Sequence, residues 1–266
     1  MLRQGCIVVY EEKEITLVIY SEKPEVISNE IVGLNQIGEY KLAEGQVRDI
    51  VDVSFDTGNK QLFQKHMSLR IRKINGQCLF TLKSNPKFDM LGTIKRDELE
   101  VEWQATSFDT LVDALVKSGV ELPHNYAFDL DWYKSMGSLG MKVLQERHTN
   151  RLTKEIIFGQ MVIAELAVDE VKYKLTYGDV VHREIEIESK SPLGDERISI
   201  ISKHFLQKYP NALSIWMPSK LEFGLALQDL INAGNREILA DGRISQNIYS
   251  KLDDYWKEKS EFIRKQ

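Results

Sequence analysis

Cysteine is nearly absent from this chain. Cys6 and Cys78 are two thiols among 266 residues, and a pair so far apart fits neither a zinc site nor a redox motif. They read as free, buried thiols of a cytoplasmic protein, where disulfides rarely form. Histidine is almost as scarce. His66, His124, His148, His182 and His204 stand apart, with no HExxH or comparable cluster, so chemistry built on thiolate or imidazole is disfavoured. No apolar run approaches the roughly 20 residues of a membrane span; stretches such as Leu17-Val18-Ile19-Tyr20 read as strands instead. The opening residues Met1 to Cys6 turn polar too soon for a secretory signal. Positive charge is not in excess either. With 35 Lys and Arg against 40 Asp and Glu, the formal net charge is −5, which argues against a non-specific nucleic-acid binder.

What is present is an ordinary globular balance, 42% hydrophobic and 28% charged, in a chain long enough to bury a substantial core. A strand over 12–20 leads to Pro24, a good first helical residue, and to the apolar set Val26, Ile27, Ile31 and Leu34. Strand-like runs follow at 50–56, 67–74, 78–84 and 94–103, with Asn75-Gly76 as a two-residue hairpin turn. Ser107 reads as the cap of a helix carrying Phe108, Leu111, Val112, Leu115 and Val116 on one face and stopped by Gly119. Further strands are expected at 141–151, 155–158, 160–169, 180–189 and 213–217, and a helix near 195–207. From about residue 226 the chain reads as helical; Ser245 is a plausible cap, and Ile248, Leu252, Tyr255 and Phe262 form one stripe.

The informative feature is the polar face of these strands. Side chains two apart share a face. Arg96, Glu98, Glu100 and Glu102 form one row; Glu184, Glu186 and Glu188 another, with Ile185 and Ile187 opposite. Arg70 pairs with Arg72, Lys83 with Thr81, Glu165 with Asp169, and Gln145, Arg147, Thr149 and Arg151 form a further row. A solvated outer face explains any single row. Carboxylates two apart repel, however, and exposed faces usually mix charges with Ser and Thr. Rows of one sign on separate strands call for counter-charges, cations for the Glu rows and anions for the Arg and Lys rows. A metal–polyphosphate complex supplies both.

In their order, Asp52-x-x-Phe55-Asp56-Thr57, Leu69-Arg70-Ile71-Arg72, Thr81-Leu82-Lys83, Arg96-x-Glu98-x-Glu100, Arg147, Val168-Asp169-Glu170-Val171, Glu184-Ile185-Glu186-Ile187-Glu188 and Ser219-Lys220-x-Glu222 resemble the CYTH domains, also called triphosphate tunnel metalloenzymes. The resemblance runs from roughly residue 12 to residue 222. It implies an α+β fold: an eight-stranded antiparallel β-barrel tunnel with helices packed outside, over residues 1–225, followed by a C-terminal helical extension over 226–266. It implies that Arg70, Arg72, Lys83, Arg96, Arg147 and Lys220 bind a triphosphate, and that Glu12, Glu14, Glu98, Glu100, Asp169, Glu184, Glu186 and Glu188 hold Mg2+ or Mn2+. Lys83, Glu186 and Arg72 would carry catalysis, water attacking the terminal phosphoryl group with metal assistance. The substrate would be tripolyphosphate, thiamine triphosphate or a nucleoside triphosphate. The expected partner is that small molecule alone, with no nucleic acid and no membrane, in a monomer or homodimer.

One departure stands out. The family's N-terminal Glu-x-Glu-x-Lys is missing: one register sets Glu12, Glu14 and Thr16 there, the other Glu14, Thr16 and Val18, and Lys13 points to the opposite face. Ser54 and Gln145 also replace a usual tyrosine and lysine. Thinned basic rows leave three readings open: a hydrolase, a module that binds polyphosphate without cleaving it, and an adenylyl cyclase of the same family.

Overall fold

The computed structural model describes residues 9–90, 92–235, 242 and 244–254. In chain order the elements are β1 (Val9–Ile19), α1 (Pro24–Gly33), β2 (Gln36–Ile37), β3 (Tyr40–Thr57), α2 (Gln61–Gln64) and β4 (Ser68–Ile74). Next come β5 (Gln77–Lys83), β6 (Lys87–Phe88), β7 (Ile94–Glu102), α3 (Ala105–Lys117), α4 (Trp132–Ser138) and β8 (Met141–Phe158). The chain continues through β9 (Met161–Leu175), β10 (Gly178–Ser189), α5 (Pro192–Lys208), β11 (Leu213–Trp216) and α6 (Lys220–Asn232). A further helix, α7, covers 246–254 among the described residues. The strands pair in the order β11-β1-β10-β9-β8-β3-β4-β5-β7-β6, and β1 also pairs with β7. Eight strands therefore close a ring of pairings, and every pair whose register is resolved is antiparallel. This is the α+β, eight-stranded antiparallel architecture expected from the sequence.

The chain divides into two compact units. The first holds residues up to Glu12, Ile50–Lys87 and Lys95–Glu146; the second holds Lys13–Asp49, Phe88–Ile94 and the chain from Arg147. In the first, alternation sends Val53 and Phe55 of β3, Leu69 and Ile71 of β4, Phe80 and Leu82 of β5 and Leu99 of β7 to one face. Phe108, Leu111, Val112 and Leu115 of α3 pack on that face. The turn between β4 and β5 is Asn75-Gly76, both at positive φ (49° and 79°), the two-residue hairpin geometry that matches strand twist.

The second unit has two apolar clusters. Ile15, Leu17 and Ile19 of β1 and Ile185 and Ile187 of β10 meet Ile198, Ile201 and Phe205 of α5. Val171, Tyr173 and Val180 meet Trp216, Phe223 and Leu227 of β11 and α6 and Ile248 and Leu252 of α7. Pro24 does open α1, where its missing N–H costs nothing.

Several expectations need correction. Ser107 is not a cap: it is buried within the first turn of α3, and Gln104 is the N-cap. Trp103, stacked edge-on to Phe108 with centroids 5.7 Å apart, is buried directly after β7 and starts the helix early. The separate strands at 141–151 and 155–158 are one strand, β8, and β9 runs on to Leu175 because Val171 and Tyr173 are buried. β3 begins ten residues before 50, and α2 and α4 lack the apolar periodicity that would announce them. In the C-terminal stripe, Ser245 precedes α7 and Ile248 and Leu252 are buried, while Tyr255 and Phe262 lie outside the described residues.

Gly194, in the first turn of α5, lies so close to β9 that a Cβ there would sit 2.0 Å from the Ile163 carbonyl oxygen. Gly194→Ala must push the helix off the sheet. The expected cost is on the order of 1–3 kcal/mol, read as a lower urea midpoint, with no effect at the exposed Gly159→Ala control beyond its left-handed backbone strain.

Candidate functional site

In the first unit, strand register builds a charged face opposite the apolar one. Asp52 lies across from Arg72, Arg70 across from Thr81, Thr81 across from Glu100, and Lys83 across from Glu98. Residues directly opposite share a face, so the single-sign rows interleave into ion pairs. Arg72 donates through Nε and Nη2 to both oxygens of Asp52, at 2.8 and 3.0 Å. Asp52 is 1% exposed, and this bidentate pair fixes the guanidinium plane. Arg70 reaches Glu98 at 3.7 Å and Asp52 at 3.9 Å. Lys83 Nζ donates to Glu12 Oε2 at 2.8 Å and lies 2.8 Å from Glu98 Oε2. Arg96 Nε donates to the same Glu12 oxygen at 2.8 Å, and Thr81 Oγ1 donates to Glu100 at 2.9 Å. Burial works against the charge of Glu12, but Lys83 and Arg96 outweigh it and hold the carboxyl well below its usual range. Four carboxylates thus face four cations: Glu12, Asp52, Glu98 and Glu100 against Arg70, Arg72, Lys83 and Arg96.

The second unit gathers carboxylates more tightly. Glu184 on β10 lies across from Asp169 on β9, and Glu186 follows two residues on. Oxygens of Asp169, Glu184 and Glu186 all lie within 4.8 Å of one another. Arg151 of β8 donates through Nε and Nη2 to Asp169 at 2.8 and 2.6 Å and also to Glu186. Lys220 Nζ lies 3.1 Å from Asp169 and bonds Glu184 and Glu186. Burial disfavours the Lys220 ammonium, but Glu184, Glu186 and Asp169 outweigh that and raise its pKa well above the usual value. The same balance keeps Glu184 ionised: desolvation opposes its charge, and Lys220 and His182 overcome it. Lys220 is placed by local structure. It is the first residue of α6, behind a capping box in which Ser219 and Glu222 bond each other's backbone N–H.

The predicted residues therefore fall into two groups. Arg70, Arg72, Lys83, Arg96, Glu12, Glu98 and Glu100 come together in the first unit; Asp169, Glu184, Glu186 and Lys220 come together in the second. Arg147 is buried on β8, on the face it shares with Thr149 and Arg151. Glu14 is buried across from Glu188, whose carboxylate bonds Lys190 at 2.6 Å. Thr16 faces Glu186 and Val18 faces Glu184 across β1 and β10. Asp52 was visible in a motif, yet its grip on Arg72 depends on register. Arg151 stood in the Arg147 row, and only its partners mark it as part of the acidic cluster. His182, 1% exposed with Nε2 2.7 Å from Glu184, carried no sequence signal. Asp56 instead has a structural role, accepting from the backbone N–H of Leu62 and Phe63 at 2.9 Å at the start of α2.

Residues 24–209 match the CYTH domain, and the chain belongs to that family. Its fold resembles that of a Hippeastrum protein described as a candidate adenylyl cyclase with a dominant triphosphatase activity. The two are 21% identical with a TM-score of 0.51, over 80% of this chain and 94% of that one. A candidate adenylate cyclase of Bacillus halodurans is similar at 20% identity and a TM-score of 0.51, over 80% of this chain and 97% of that one. Both likenesses are of fold. No curated protein matches the sequence. No helix among the described residues is long and apolar enough to cross a membrane.

Because the Glu12 pKa is depressed, its contribution to stability is complete above the unfolded-state value near 4.5 and declines as pH falls below it. Glu12→Gln should flatten that acid limb in urea titrations. At neutral pH it should cost about 3 kcal/mol, since Lys83 and Arg96 lose a buried counter-charge.

Proposed function

We propose that this protein is a metal-dependent hydrolase of a triphosphate, with Mg2+ or Mn2+ as the ion. The observation that carries this reading is the triad Asp169, Glu184 and Glu186, three carboxylates with ligand oxygens within 4.8 Å. An all-oxygen, anionic donor set suits a hard divalent cation, so the residues fit the group. Such an ion, when bound, supplies Lewis-acid polarisation of phosphoryl oxygens. Family membership and the triphosphatase activity described for the Hippeastrum relative support the same reading.

The chain's own residues supply the rest. Arg70, Arg72, Lys83 and Arg96 neutralise non-bridging phosphate oxygens. Arg72 is the most rigid of them, because Asp52 holds its Nε and Nη2 in one plane. Their present carboxylate partners keep the cations oriented until a polyanion replaces them. Glu98, Glu100 and Glu12 set how many cations that face tolerates, and Glu14, across from Glu188, is a further carboxylate beside the metal. Glu188 is a further ligand for the metal, and Arg147 and Lys220 are further phosphate contacts. Tripolyphosphate, thiamine triphosphate and nucleoside triphosphates share the recognised group.

A second reading, binding without cleavage, is favoured by Thr16 and Val18 standing where the family resemblance places a lysine. Phosphate release from tripolyphosphate, thiamine triphosphate and ATP with Mg2+ or Mn2+ separates the two. Turnover is expected, falling about 100- to 1,000-fold in Glu186→Gln and in Lys83→Ala. Tight tripolyphosphate binding with no turnover of any substrate would establish the binding module. Pyrophosphate and cyclic AMP from ATP would identify a cyclase.

A further inference from the structure

Glu184 is tied to a residue that lies beyond the family match. On β10, His182 shares the face of Glu184, and its Nε2 lies 2.7 Å from Glu184 Oε2. The other ring nitrogen, Nδ1, lies 3.0 Å from the hydroxyl of Tyr249 on α7. All three are buried. The imidazole is also held by rings on its faces: its centroid is 4.2 Å from that of Phe223 and 6.4 Å from that of Tyr173. α7 is anchored independently by Ile248 and Leu252, buried against the α6 side chains, and by Lys251 donating to Asn235 at 2.9 Å. At the neighbouring strand position, Val181 N–H donates to the Gly242 carbonyl at 2.9 Å.

The Glu184 end of this chain of bonds has a definite direction. Glu184 is ionised and accepts, so Nε2 carries hydrogen. Burial, reinforced by the Glu184 charge, pushes the Tyr249 phenol well above its usual pKa, so the hydroxyl keeps its proton and stays a neutral hydrogen-bond partner of Nδ1. With Oε2 bonded to His182, the carboxylate turns Oε1 to Lys220 and the triad.

We propose that Tyr249 is a positioning residue for Glu184, acting through His182, so that the segment beyond residue 209 orients a ligand of the metal triad. The proposal rests on the metal reading of that triad. Hydrogen bonds to a ligand's non-coordinating atoms fix its orientation, and losing them costs about 10- to 100-fold in metal affinity.

Nitrogen NMR of the metal-free protein reads the His182 tautomer directly, and calorimetry with Mn2+ alone reads affinity. The wild type should show a protonated Nε2 bonded to Glu184. Tyr249→Phe removes one oxygen and keeps the ring; it should shift the Nδ1 resonance and weaken Mn2+ binding about tenfold. His182→Gln, which keeps a donor toward Glu184, should bind Mn2+ more tightly than His182→Leu, and this comparison stands even where Tyr249→Phe fails to fold. Equal Mn2+ affinity of wild type and Tyr249→Phe overturns the proposal, as does equal affinity of the two His182 variants. A wild type that binds no Mn2+ sinks the metal reading itself; an Nδ1 resonance unmoved by Tyr249→Phe would then also refute the Tyr249–His182 link.

Discussion

A carboxylate removed from water needs a positive partner, and that single requirement shapes both charged faces. Asp169, with no exposed surface, is gripped by both arms of Arg151 and approached by Lys220. Asp52 is gripped the same way by Arg72. Buried ion pairs of this kind contribute little net stability, because desolvation consumes most of the Coulombic gain. The apolar clusters on the opposite strand faces must hold the fold together. A chain that only had to fold would fill these interior faces with Val and Ile. Thirteen charged side chains occupy these two faces instead, seven carboxylates and six cations.

Local structure then decides which cation meets which anion. The Asn75-Gly76 turn sets the β4–β5 register, which puts Arg70 opposite Thr81 and brings Lys83 to the strand end facing Glu98. A one-residue slip would carry every one of these charges into the apolar cluster. The Ser219–Glu222 capping box does the same for Lys220, fixing the start of α6 so that its first residue reaches three carboxylates. The positive end of the helix adds to the field at that point.

Much of this was legible because strands repeat every two residues. Rows such as Glu184, Glu186 and Glu188 announce themselves, and so does the hairpin turn. What one strand cannot reveal is its neighbour. Asp52 becomes the holder of Arg72, and Arg151 becomes part of the acidic cluster, only through pairings across strands. His182 looked like an isolated histidine, since its partners Glu184 and Tyr249 meet it through an alternation and a helix far along the chain. Ser107 misled because a serine before an apolar run is a cap only when the chain is free to turn there, and the burial of Trp103 had already started the helix.

The missing lysine of the first strand takes on a different meaning in this light. Thr16 faces Glu186 and Val18 faces Glu184, so a lysine at either place would serve those two carboxylates. Val18 instead packs with Trp216 and Phe223 in the cluster that seats α6 and α7. The cations arrive from elsewhere: Lys220 bonds both glutamates, and Arg151 bonds Glu186 and Asp169. A lysine added at Thr16 would make a third cation against three carboxylates and remove their negative surplus. Two cations, one from a helix start and one from a neighbouring strand, leave the three carboxylates one charge short of neutrality.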